Sequence, residues 1–474
     1  MRVRKILIVV SLLTSSLALT ACDMGMTDRA TTAPGQPEWN DANTRDLNAI
    51  IARCAEHSLN HLNFEEKATD PAALTRMALR YANALSRGAT DPAKLYEIYT
   101  VARPAPDLRR GLADALASGK LSEWLDSLAP QTDSYRTLSE AYRKLINGDG
   151  APSTAIPALT DPLKPGASDP RIPAIARQLV ASDYLDARQA QGDRYSDAMV
   201  EAVKHMQVDY GIDPDGEIGP EAFAILNLSD SDRARAIAVA MERLRWLDRT
   251  PPGTRIDVNV AAARLDYWRD GKIVDSRKVI VGEPETEPPQ LGSPIFRLVA
   301  NPTWTVPVSI EKKEIAGKDD GYLTLNNMTR KNGRIVQLPG PKNSLGLVKF
   351  DMTNEHQIYL HDTPAKTVFA EVQRQRSHGC VRVDDALGFA EMLASDAGIL
   401  DQWHKARATG KETFVHLPRE IPVRLLYRTV IFDGDGQPIV RADPYGWNDR
   451  VSVALGFPAG RGSRIKAAGG DIGP

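Results

Sequence analysis

The hydrophobic period of this chain changes near Trp246, from the spacing of helices to the alternation of strands. One layer architecture cannot satisfy both periods, so the two halves must fold differently. Helical periodicity begins near Trp39. Asp70-Pro71 supplies an N-cap and an opening helical residue; Leu74, Met77, Ala78, Tyr81 and Leu85 then form one stripe, and Gly88 stops it. A second stripe, Tyr135, Leu138, Tyr142 and Leu145, follows Asp133. A Pro/Gly-rich stretch from Gly148 to Pro173 precedes a small helical unit, about Ala174 to Leu228. Beyond Trp246, Ile256, Val258 and Val260 alternate, then Leu265 and Tyr267, then a turn at Arg269-Asp270-Gly271-Lys272 and a strand Val279–Val281. Strand-like pieces recur at Ile295–Val299, Leu347–Phe350, Gln357–Leu360, Thr413–His416 and Val423–Tyr427, interrupted by a helix through Ala386, Phe389, Ala390 and Leu393. The expected class is α+β and multidomain: a helical N-terminal region, a small helical domain, then a mainly β domain.

The 474 residues are enough for about three domains. With 59 basic against 61 acidic side chains, the net charge of −2 gives no long-range pull towards nucleic acid. Three cysteines are too few for a disulfide-built fold, so each is read in place. Arg2, Arg4 and Lys5 precede an apolar run from Ile6 to Leu19, the flank and length of an export signal. Leu19-Thr20-Ala21-Cys22 resembles a bacterial lipobox, which implies lipid on Cys22 and a membrane partner through that anchor. A plain signal peptide ending at a cysteine is the alternative. Asp23 resembles an inner-membrane retention signal. Loss of the signal removes three positive charges, taking −2 to −5, and an oxidising extracytoplasmic compartment is expected. The expected layout is a signal peptide over 1–21, a tether over 22–38 and a helical scaffold over 39–170. A small domain over 174–230 follows, then the mainly β domain over 250–428 with a cap at about 312–343, and an extension over 429–474. Cys54, in a helical segment Asp46–His57, reads as a small buried apolar residue.

In the small helical unit Met199, Val203 and Met206 share a face, followed by Tyr210-Gly211-Ile212, an Asp213-Pro214-Asp215-Gly216 turn and a helix opened by Ile218-Gly219-Pro220. The order helix, Gln207, Gly211, Asp215-Gly216, Gly219-Pro220, helix resembles a peptidoglycan-binding domain, although Met206 stands where that family carries Phe. A purely structural helix–turn–helix is the other reading.

The chemistry concentrates in Ile358-Tyr359-Leu360-His361-Asp362-Thr363-Pro364 and in Arg376-Ser377-His378-Gly379-Cys380-Val381-Arg382-Val383. A cysteine attacks a carbonyl as thiolate, and a histidine or a helix N-terminus assists its deprotonation. His361, 19 residues before Cys380, ends a strand and would accept the proton. Asp384 reads as the N-cap of the next helix, which would bring the positive helix end near the thiol. Gly379 permits a tight turn, and N–H groups around Gly379 and Cys380 are candidates for an oxyanion hole. His361, His378 and Cys380 as zinc ligands is the competing reading, although two ligands separated only by Gly379 strain a tetrahedral site.

This segment resembles the YkuD-type L,D-transpeptidase catalytic domain, marked by a histidine strand followed by Ser-His-Gly-Cys-x-Arg. Gly282-Glu283, Asn301-Pro302-Thr303-Trp304, Val306-Pro307, Ile310, Pro339-Gly340-Pro341, Leu345-Gly346, Lys349-Phe350, Ile421-Pro422-Val423 and Asp443-Pro444-Tyr445-Gly446 extend the likeness to the large periplasmic subfamily. The resemblance implies Cys380 as nucleophile, His361 as base and the Asp362 carbonyl as orienter. Ser377, His378, Gly379 and Arg382 would shape the pocket, and Tyr359 is a candidate for substrate contact. Arg376 and Arg382 would pair with substrate carboxylates or brace the loop. It further implies peptidoglycan stem peptides as donor and acceptor. Cys380 would release D-alanine through a thioester resolved by an amine, by water (an L,D-carboxypeptidase) or by a protein lysine. No cofactor or metal is implied, and carbapenems are expected to acylate the thiol. A zinc peptidase and a non-catalytic wall-binding lipoprotein remain as alternatives.

Overall fold

The computed structural model describes residues 38–65, 70–148, 155–157 and 161–460. The signal, most of the tether and Cys22 lie outside the described residues. No helix among the described residues is long and apolar enough to cross a membrane.

The first half is helical where the stripes demand it. Helix Pro71–Arg87 is capped by the Asp70 carboxylate, and its stripe Leu74, Met77, Ala78, Tyr81 and Leu85 is buried. Helix Asp133–Ile146 buries Tyr135, Leu138 and Tyr142. Both pack on Asp230–Trp246, whose Glu242 and Arg245 side chains are wholly buried and ion-paired at 2.7 Å. Glu242 also accepts from the Thr90 N–H and hydroxyl, and Arg245 donates to Tyr135 and to the His57 carbonyl. A buried pair is tolerated only when its remaining donors and acceptors are satisfied, and here they join three segments distant in sequence. One expectation fails locally. The first helix ends at Ala52, and Cys54 opens a separate short turn, Cys54–His57, where it is only partly buried.

In the small helical unit, Asp197–Tyr210 and Pro220–Leu226 bury Met199, Val203, Met206, Ala222 and Leu226. Gln207 explains the turn between them. Its amide donates to Asp215 and the Glu217 carbonyl while its oxygen accepts the Gly216 N–H at 2.9 Å.

The second half contains β1 (Arg255–Asn259), β2 (Arg264–Arg269), β3 (Lys272–Gly282), β4 (Gly292–Ala300), β5 (Trp304–Thr305), β6 (Met328–Lys331), β7 (Arg334–Gln337), β8 (Val348–Met352), β9 (Leu360–His361), β10 (Gln375–Ser377), β11 (Val381–Val383), β12 (Thr413–Leu426), β13 (Val430–Phe432) and β14 (Pro438–Val440). The main sheet runs β10-β3-β11-β9-β8-β4-β12-β1-β2, and the further pairing of β2 with β3 closes it into a barrel with β10 outside the ring. Closure removes the open edges that a flat sheet would expose. The two strand pieces expected around residues 413–427 are one strand, irregular between His416 and Ile421. The piece expected at Gln357–Leu360 is mostly not strand: Gln357 has φ +56° and pairing starts at Leu360. Residues 429–460 pack back onto the domain and onto the helix Asp230–Trp246, with the Tyr445 hydroxyl donating to the Gly282 carbonyl and Arg243 to Asn448.

Trp304 to Leu345 forms a unit over one face of the barrel, with β5, β6 and β7 as a small sheet. Its core is Trp304, Val306, Ile310, Ile315, Leu323, Met328, Ile335 and Leu345. That core makes the cap wider at both ends than the expected 312–343.

Candidate active site

Strand register places the functional side chains. β11 lies parallel to β9, with Val381 opposite Leu360 and Arg382 opposite His361. Side chains alternate faces, so Val381, Val383 and Leu360 enter the main core while Arg382 and His361 share the opposite face. Lys349 of β8 is opposite His361; across β4, Val299 faces Lys349 and Arg297 faces Asp351; Phe414 of β12 faces Val299. This face is the floor of a cavity of about 570 Å³ lined by Arg297, Lys349, Asp351, Tyr359, Cys380 and Phe414. An adjoining space of about 110 Å³ is lined by His361, Cys380, Ser377, His378, Arg382 and the roof residues Trp304, Ile310 and Glu314. Cys380 lines both.

The loop holding the thiol is braced from within. The Ser377 hydroxyl donates to the Cys380 carbonyl at 2.7 Å and accepts the Gly379 N–H at 3.2 Å. Gly379 has φ +120°, which a side chain there would resist. Of the two N–H groups expected to face an oxyanion, that of Gly379 is therefore engaged by Ser377, and the Cys380 N–H remains the candidate. The expected helix contribution also changes. Asp385 is the N-cap, accepting the Gly388 N–H, and β11 separates the helix Ala386–Asp396 from Cys380. Helix-dipole effects fade within a turn, so Asp384 and that helix end do not activate the thiol.

His361 is nearly inaccessible, and its Nδ1 lies 2.5 Å from the Asp362 carbonyl. That carbonyl can only accept, so Nδ1 carries the proton and Nε2 is left to accept one. The Asp362 carboxylate accepts the Leu347 N–H and pairs with Lys366, which holds the carbonyl in place. Burial, with Arg382 adding positive charge, pushes the His361 imidazole down to about 3. Burial pushes the Cys380 thiol up, against hydrogen bonds from Tyr359 and the charges of Lys349 and Arg382 that lower it. The resting pair is therefore neutral thiol and neutral imidazole.

His378 points to the roof, its Nε2 3.1 Å from Glu314 on the π-helical turn Glu311–Ile315. Arg376 pairs with Glu371 and is not among the cavity-lining residues, so it braces the loop. Sequence reasoning missed the floor beyond His361. Asp351 accepts from Arg297 Nε at 2.5 Å and from Lys349 Nζ at 2.7 Å, and Lys349 lies 4.2 Å from the centroid of the Tyr359 ring. Charges flanking Phe350 in an otherwise apolar strand were the available signal. His356 also lines the cavity. Among the described residues no group of three or more His, Cys, Asp or Glu side chains is arranged to hold a metal.

Residues 253–416 match the L,D-transpeptidase catalytic domain, YkuD; residues 34–141 match a Scaffold domain; residues 168–226 match a "Putative peptidoglycan binding domain". A "Putative L,D-transpeptidase" of Haemophilus influenzae is 28% identical over 254 residues, 48% of this chain and 50% of that protein. The chain thus spans about half the length of that curated relative. Solved L,D-transpeptidase structures overlap from Xylanimonas cellulosilytica (18% identity, 57% of this chain and 98% of that one, TM-score 0.21) and Stackebrandtia nassauensis (13%, 58% and 97%, 0.25). Those TM-scores are too low for either overlap to bear on the fold. With the thiol loop, the histidine strand and the matched residues on one barrel, residues 253–416 are an L,D-transpeptidase catalytic domain of the YkuD type, preceded by segments that match scaffold and peptidoglycan-binding domains.

Proposed function

We propose that this protein is an extracytoplasmic L,D-transpeptidase acting on peptidoglycan stem tetrapeptides. The observation that carries the reading is that Cys380 and His361 line one small space, with His361 Nδ1 committed to the Asp362 carbonyl. Cys380 Sγ attacks the carbonyl that joins the L-centre of the third residue to the terminal D-alanine. His361 Nε2 takes the thiol proton as the S–C bond forms, because both groups start neutral. The Cys380 N–H is the donor available to the tetrahedral oxyanion. Collapse breaks the C–N bond, His361 returns the proton to the leaving amine, and D-alanine departs from a thioester. An amine of a second stem attacks that thioester, giving a third-position cross-link and restoring the thiol. The roof at Trp304 and Ile310 supports the reading by shielding the thioester from water. Lipid on Cys22 would hold the enzyme at the membrane surface, with the Gln207-stapled unit engaging the wall.

Purified protein incubated with tetrapeptide muropeptides should release D-alanine and show a covalent acyl adduct by mass spectrometry, absent in Cys380→Ala. Intact tetrapeptide under varied acceptors would overturn the assignment. The product spectrum separates dimers, from an amine acceptor, from tripeptides, from water.

A further inference from the structure

Away from the thiol, the cavity floor carries a second polar feature that the transfer chemistry does not use. Arg297 is held between the Phe414 ring, 4.3 Å from its guanidinium carbon, and Asp351, which accepts its Nε–H. Asp351 is buried and also binds Lys349, so the trio carries one net positive charge facing the cavity. Among the described residues, Nη1 and Nη2 of Arg297 have no hydrogen-bonding partner, which leaves one edge of a fixed fork free. A planar fork with two free donors, pre-positioned on an aromatic face, suits a carboxylate. β4 lies three strand steps from β11, so this edge is about 14 Å from the strand that follows Cys380.

We propose that Arg297, set by Phe414 and Asp351, is a carboxylate-binding subsite that reads a free carboxylate of a stem peptide remote from the scissile bond. The substrate class rests on the transpeptidase reading above; the subsite itself is tested by binding, without turnover. The carboxylate belongs either to the donor stem or to the acceptor stem, and the two arms of the experiment separate them.

In a Cys380→Ala background, stem tetrapeptide binding is measured by calorimetry with and without Arg297→Met, using peptide whose side-chain carboxyls are free or amidated. Arg297→Met should weaken binding of the free-carboxyl peptide roughly 10- to 100-fold, as loss of a charge-assisted hydrogen bond does. It should leave the amidated peptide nearly unchanged. Arg297→Lys, keeping charge without the fork, should fall between, and thermal melts confirm that each variant folds. With Cys380 present, a rise in KM confined to the donor assigns the donor stem, and one confined to acceptor amine assigns the acceptor. Equal binding by Arg297→Met and its parent, equal losses for free and amidated peptides, or no binding of tetrapeptide to Cys380→Ala would each overturn the subsite. Failure of the intact enzyme to release D-alanine, with binding as expected, would instead overturn the reaction while leaving the subsite standing.

Discussion

The floor of the cavity and its roof are made from different amounts of core. On the floor, each reactive side chain alternates with a residue sunk into the main core: Leu360 beside His361, Val381 between Cys380 and Arg382, Phe350 between Lys349 and Asp351. The roof closes over its own small cluster around Ile315, Leu323 and Ile335, and touches the thiol loop through Glu314 and His378. Position is therefore over-determined below the substrate and lightly determined above it. This matches a site whose chemistry needs fixed groups and whose cover must admit a peptide.

The largest effects should come from the floor. Cys380→Ala should cut D-alanine release by roughly 10⁴-fold or more with the fold intact, read by single-turnover product analysis. A carbapenem should add to the wild-type protein and leave this variant unmodified, checked by intact mass. His361→Gln should cost roughly 10²- to 10⁴-fold in kcat, because the base and its carbonyl anchor are lost together.

Equal deletions then compare the two regions directly. Leu298→Ala in the floor core and Leu323→Ala in the roof core should each cost about 2–5 kcal/mol, since both are almost fully buried. The first should lower the global melting temperature. The second should raise hydrogen exchange between Trp304 and Leu345 with little global change. A shared global shift would mean that roof and barrel unfold as one.

Acid sharpens the contrast further. His361 is held near 3 against an ordinary 6.5, so the base stays neutral and kcat/KM should persist down to about pH 4. An unshifted imidazole would lose about tenfold per unit below pH 6. Stability has its own dependence: the unfolded chain takes up this proton first, so stability is full above about 6.5 and is lost as pH falls towards 3. Melts at each pH separate the two. The smallest effect belongs to the roof contact. Glu314→Gln weakens a partly buried contact to His378, whose imidazole burial holds below its ordinary range and so neutral, and should change KM by no more than roughly fivefold while faster exchange appears in Glu311–Ile315.

Some elements could be read from local pattern because local physics decides them. Asp70-Pro71 to Gly88 carries its own cap, stripe and stop, and the helix has those bounds. Two misreadings share one cause. The pattern points to Asp384 as the cap where Asp385 serves, and to strand over Gln357–Leu360 where pairing starts only at Leu360. In both, one residue adopts a left-handed backbone, φ +41° at Asp385 and +56° at Gln357, which hydrophobic pattern does not report. Arg297 and Asp351 stayed unread because their meaning lies in register across three strands.

By itself, the amino-acid order determined the division into helical and β halves and the pairing of a histidine strand with a Ser-His-Gly-Cys loop. These depend on periodicity and short-range chemistry, which a chain carries wherever it folds. Only the tertiary structure decided that Gly379 turns its N–H to Ser377, that the Cys380–His361 pair rests uncharged, and that a free guanidinium edge waits across the floor. Those follow from burial and cross-strand register, which bring together residues whose distance along the chain says nothing about their distance in space.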